Sequence, residues 1–79
     1  MKSEIFSFAI NHRNQLRFHY GFNEVILDPY YISREKSGKK VIYGRINNSN
    51  EIKKFEYDKI VNIRVLHHKR FSPVIPIIS

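Results

Sequence analysis

The 79-residue sequence contains no cysteine. No disulfide framework can form, and a cysteine-ligated zinc site is excluded. Glycine is scarce, with three residues in all, and none of them builds the glycine-rich loop that cradles a nucleotide phosphate. Acids are scarce too: seven Asp and Glu stand against fourteen Lys and Arg. No apolar run approaches the roughly 18 residues that a membrane span needs. The opening MKSEIFSFAI does not read as a secretory leader, because Glu4, and then Asn11 and Arg13, interrupt the apolar region such a leader requires. Internal repeats and low-complexity segments are absent. The expectation is a soluble, cytoplasmic protein of one domain over residues 1–72, followed by an apolar tail over 73–79.

What is present is basic and aromatic. A net charge of +7 on 9.5 kDa attracts phosphates and acidic surfaces. With 42% hydrophobic and 14% aromatic residues the chain can build one small core, and disorder is not expected.

The hydrophobic period changes once along the chain. At about 100° per residue, Ile5, Phe6, Ala9 and Ile10 share an arc of roughly 140°. This predicts a short amphipathic helix over 3–12, with Ser3 as its cap and Glu4 favourably placed in the first turn. From residue 15 the pattern alternates. QLRFHY reads as a strand with Leu16, Phe18 and Tyr20 on one face and Arg17 and His19 on the other. GFN is a turn. EVILDPYYIS is a second strand, in which Pro29 cannot donate a ladder hydrogen bond and marks an edge or a bend. VIYGRI is a third strand, where Gly44 signals a bulge or a close backbone approach. EIKKFEY is a fourth, DKI a tight connection, and VNIRVL a fifth with Val61, Ile63 and Val65 directed one way. The fold class that follows is mainly β: a small five-stranded antiparallel barrel of SH3-like or Sm-like type, preceded by one helix. Phe18, Tyr20, Leu27, Ile42, Phe55, Ile60 and Ile63 are its expected core. The tail from Pro73 to Ser79 is expected to pack on the barrel or on a partner.

Several runs together resemble WYL domains. FSFAINHRNQLRFHY resembles the family's opening helix and alternating strand, Pro29 falls at the family's second-strand proline, and VIYGR looks like its central strand. KKFEYDKI is similar to the family segment of the form Arg-x-Phe-x-Leu-Asp-Arg-Ile, and Phe71 stands where a closing Phe is common. The tripeptide that names the family is Lys40-Val41-Ile42 here, and the two arginines of the fourth-strand segment are Lys53 and Lys59, which keep the charge without the planar fork. The resemblance implies a ligand-sensing module of bacterial transcription regulation or phage defence, binding nucleotides or nucleic acid. A helix-turn-helix has no room in this chain, so it would be a stand-alone module or an excised domain.

The candidate binding residues are Arg17, His19, Tyr43, Arg45, Lys53 and Lys59. Arg and Lys clusters hold phosphates, and aromatics offer stacking faces to bases. The expectation is that Arg17, Arg45, Lys53 and Lys59 converge on one basic face, with His19 secondary, that binds nucleic acid or a nucleotide without chemistry and without a cofactor. A protein-interaction or oligomerisation module is the alternative. A small metal-free ribonuclease using His, Arg and Lys is a lesser one. Asp28-Pro29 followed by Glu51-Ile52-Lys53 imitates a metal-dependent nuclease pattern, but the pattern is short and common, and the flanking helices of such enzymes are missing. The four histidines show no metal-ligand spacing.

Overall fold

A computed structural model describes the backbone of residues 1–70 and the side chains of residues 1–67. It consists of α1 (Lys2–His12), β1 (Asn14–Tyr20), β2 (Asn23–Arg34), β3 (Lys40–Ile46), β4 (Ile52–Glu56), a 3-10 turn (Tyr57–Lys59) and β5 (Ile60–Arg70). The five strands form one antiparallel sheet in the order β4-β3-β2-β1-β5, a curled, barrel-like arrangement with the helix packed mainly on β2 and β1. Phe71, the end of the expected domain at residue 72 and the tail from Pro73 to Ser79 lie outside the described residues.

The helix begins one residue earlier than the period predicts. Met1 occupies the capping position and Ser3 does not cap. Ser3 instead donates from its hydroxyl to the Tyr57 hydroxyl at 3.4 Å. Arg13 ends the helix in the left-handed conformation, φ 58°, and hands its backbone N–H to Ile10.

Phe6, Ala9, Leu16, Phe18, Leu27, Ile42, Phe55, Tyr57 and Ile60 form the buried cluster on the inner face of the sheet. Phe18 and Tyr20 both meet Phe55 edge to face, with centroids 5.3 and 4.9 Å away. Tyr20 and Ile63, expected in the core, pack against it and are partly buried. Tyr20 stays partly open because its hydroxyl reaches the rim, where it accepts from the Glu56 backbone N–H at 3.2 Å.

Three of the backbone irregularities in the sheet bear on its shape. Gly44 is the close approach its position suggests: a Cβ there would stand 2.4 Å from the Asp28 carbonyl oxygen. Pro29 lies in β2 just beyond Leu27, where the pairing with β1 ends, so among the described residues it is paired on the β3 side only and stands at a local edge; it also opens a register shift in which Pro29 pairs Gly44 and Tyr31 pairs Tyr43, leaving Tyr30 as the extra residue. Asn62, φ 57°, sits in the third, where Arg17 pairs Arg64 but His19 pairs Val61. Asn tolerates this left-handed conformation. The bulge turns Val61 to the outer face, so Val61 does not share the direction of Ile63 and Val65.

Candidate anion-binding cleft

Because antiparallel partners project to the same side of a sheet, the register assigns each candidate residue to a face. Arg17, His19, Tyr43 and Arg45 lie on the outer face. Lys53 pairs Gly44, two residues from the Ile42–Phe55 pair, and so lies on the inner side. There it lines the mouth of the barrel with Tyr20, Val25, Ile46 and Glu51, and its amine stands 3.8 Å from Glu51. Lys59 is on the 3-10 turn, 4.0 Å from Glu56. The expected single face of Arg17, Arg45, Lys53 and Lys59 is therefore not assembled. Lys53 follows Phe55 by strand alternation, and Lys59 follows the turn.

Arg45 has a different task. Its Nε and Nη2 donate to Asp28 Oδ2 at 3.1 and 2.6 Å, while Gln15 Nε2 donates to Asp28 Oδ1 at 2.6 Å and to Asn47 Oδ1 at 3.2 Å. Asp28 is 1% exposed. The hydrogen bond to Asp28 is the main cause that raises the Arg45 pKa above its ordinary value. This network ties β1, β2 and β3 together on the outer side, and a buried carboxylate of this kind requires such partners. Asp28 and Lys53 also face opposite sides of the sheet, so the nuclease-like pattern gathers no site. Among the described residues no group of three or more His, Cys, Asp or Glu is placed to hold a metal ion.

What the fold does bring together is Arg17, His19 and a set that periodicity alone does not single out. Arg64 of β5 stands directly opposite Arg17 of β1. With Glu24, Asn62, Phe18, Ile63 and His19 they line an open cleft of about 450 Å³. The one acid there among the described residues is Glu24, whose carboxylate is 3.6 Å from Arg17 Nε. Arg64 has no ion-pair partner among the described residues. The Asn62 bulge shapes one wall, and its Nδ2 lies 2.9 Å from His19 Nδ1. With the amide as donor, Nδ1 accepts and the ring proton sits on Nε2. The cleft thus offers two guanidinium groups and, at its polar edge, an imidazole N–H. Such a donor set suits phosphate or carboxylate oxygens.

No helix among the described residues is long and apolar enough to cross a membrane. No family model matches the chain, and neither does any curated protein or solved structure.

Proposed function

We propose that this chain is a non-enzymatic module that binds the phosphates of a nucleic acid or nucleotide in the cleft between β1 and β5. The observation that carries the reading is the pairing of Arg17 with Arg64. Like charges directly opposite on neighbouring strands are destabilising, and among the described residues only Glu24 offsets them. Two arginines paired across the strands and lining one cleft, one of them without an acidic partner among the described residues, are a poor structural choice and a good anion receptor. The net charge of +7 supports the same reading. The resemblance to WYL domains supports a sensing role for a cytoplasmic, bacterial protein in transcription regulation or phage defence.

The test is binding of a labelled oligonucleotide at two salt concentrations. Each neutralised phosphate releases condensed counterion, so affinity should fall steeply with salt. Arg17→Glu and Arg64→Glu should each weaken binding and flatten the logarithmic salt slope by roughly one unit. Unchanged affinity and slope in both folded variants would overturn the reading.

A second reading, a protein-interaction module, draws on Phe22, which is fully exposed at the tip of the β1–β2 turn, with Ile52 and Val61 also open. Against it, the edge strand β4 carries adjacent lysines, Lys53 and Lys54, a composition that discourages edge-to-edge pairing.

A further inference from the structure

We propose that Tyr31 and Tyr43 form a base-stacking platform on the same outer face, and that the ligand is therefore an unpaired stretch of nucleic acid. The inference rests on the phosphate-binding reading above and adds the class of ligand to it.

Tyr30 and Tyr31 are adjacent, so an unbroken strand would send one to each face. The register shift after Pro29 makes Tyr30 the extra residue, sends Tyr31 outward and sets it opposite Tyr43. The two rings lie 4.7 Å apart between centroids and 14° from parallel. The aromatic contacts of Phe6, Phe18 and Tyr20 with their core partners are edge to face, whereas this pair is a flat stack on the surface. Tyr31 is 49% exposed. The pairing of β1 with β2 reaches only as far as Leu27, so among the described residues no strand flanks Tyr31 on the side away from Tyr43. With about half of its surface open to solvent, Tyr31 is accessible to a ligand.

Cations border the platform. Arg45 is two residues from Tyr43 on the same face of β3, and Lys54 of β4 is the cross-strand partner of Tyr43 on its other side. Lys54 is tied to Glu35 and Arg45 to Asp28. They frame the tyrosines more than they add free charge. Along β2, Tyr31 lies five residues from Ile26, the partner of Arg17. That separation is on the order of 15 Å, within the span of a short oligonucleotide of roughly four nucleotides or more. A strand with phosphates at Arg17 and Arg64 can thus lay a base on Tyr31. A duplex cannot, because its bases already stack on each other and present edges, not faces.

The experiment measures fluorescence anisotropy with a labelled oligothymidylate, an oligouridylate of equal length and a blunt DNA duplex, and uses inorganic polyphosphate as a base-free competitor. Tyr31→Ala should weaken oligothymidylate binding about 5- to 100-fold. Its salt slope and its affinity for polyphosphate should stay as in the wild type, and Tyr31→Phe should bind nearly as well as the wild type. The chain has no tryptophan, so quenching of tyrosine emission by the oligonucleotide reports stacking in the unaltered protein. Comparing the thymidylate with the uridylate separates DNA from RNA as the source of the strand. A duplex bound as tightly as the single strand, or a Tyr31→Ala protein that binds oligothymidylate undiminished, overturns the platform. In either case, polyphosphate binding that Arg17→Glu weakens would leave the phosphate cleft standing. A wild-type protein that binds neither oligonucleotide nor polyphosphate overturns both.

Discussion

Arg17 of β1 and Arg64 of β5 face each other across the strand pair, on the outer side of the sheet, with Glu24 3.6 Å from Arg17 and no acid paired with Arg64 among the described residues. The repulsion implies a stability cost that the fold keeps. Arg64→Glu replaces it with a cross-strand ion pair. Unfolding in urea should show a gain of about 0.5–1 kcal/mol, the scale of exposed cross-strand pairs, while oligonucleotide binding falls. A variant that loses binding and also loses stability would place Arg64 in a structural role.

Gly44 tests the tightness of β2 against β3. A Cβ there meets the Asp28 carbonyl oxygen at 2.4 Å and Leu27 Cγ at 2.7 Å. The oxygen belongs to backbone held in the ladder and cannot swing away. Gly44→Ala should cost about 2–3 kcal/mol by denaturant unfolding, in the range of overpacked cores. A loss under about 0.5 kcal/mol would mean that the strands slide apart freely.

The fold was legible because its signals are local. The change of period near residue 14, the alternation of Leu16, Phe18 and Tyr20, and the polar turns each follow from neighbouring residues. The cleft was legible only in half. Alternation turns Arg17 and His19 away from the core, but setting Arg64 against Arg17 needs the register of β5 on β1, a contact between distant parts of the chain. That register depends on the bulge at Asn62, and an Asn within an alternating run carries no unique signal. Lys53 was readable in principle, since it stands two residues from Phe55 and shares its face. Arg45 was misleading for another reason: nothing local announces that Asp28 is buried and needs a partner.

Phe18 anchors the core on β1. It is fully buried and meets Phe55 edge to face. Phe18→Ala should lower the unfolding free energy by about 3–5 kcal/mol, with the oligonucleotide affinity of the folded fraction retained, because the ring lies on the inner face. A loss below about 1 kcal/mol would contradict its place in the core.

Tyr30 gives the fold a dependence on alkaline pH. Burial, chiefly, raises its pKa above the ordinary phenol value of 10.0; Arg45 opposes the shift and Asp28 reinforces it. The folded chain thus holds the phenol proton more tightly than the unfolded chain. The stability this contributes is complete below the unfolded pKa and is lost as pH rises through the folded one. The stability gap between wild type and Tyr30→Phe should be constant up to about pH 9, then move against the wild type above about pH 10. Urea unfolding of both proteins across that range provides the check. A gap that stays level would mean the phenol titrates alike in both states.

The pair of Asp28 and Arg45 is lopsided, and the lopsidedness predicts which half the fold depends on. Asp28 is 1% exposed and Arg45 33%. Without Asp28's charge, Arg45 can still turn toward water. Without Arg45, the carboxylate stays buried with Gln15 as its remaining side-chain donor among the described residues. Breaking a wholly buried pair costs about 3–5 kcal/mol; the opening at Arg45 lets water recover part of it, so Arg45→Met should cost about 2–3 kcal/mol. Asp28→Asn should cost less, about 1–2 kcal/mol, because the amide keeps the shape and strands no buried charge. Denaturant unfolding of the two single variants and the double one measures both costs and the coupling between them. If Asp28→Asn proves the more damaging, the guanidinium and not the carboxylate is the group left stranded. The expected order has a practical consequence for the binding experiments. A charge reversal at Arg45 would set two carboxylates face to face and unfold part of the sheet, so any binding it abolishes says nothing about phosphate contact. Arg17 and Arg64 are the positions at which charge can be changed without removing a buried partner.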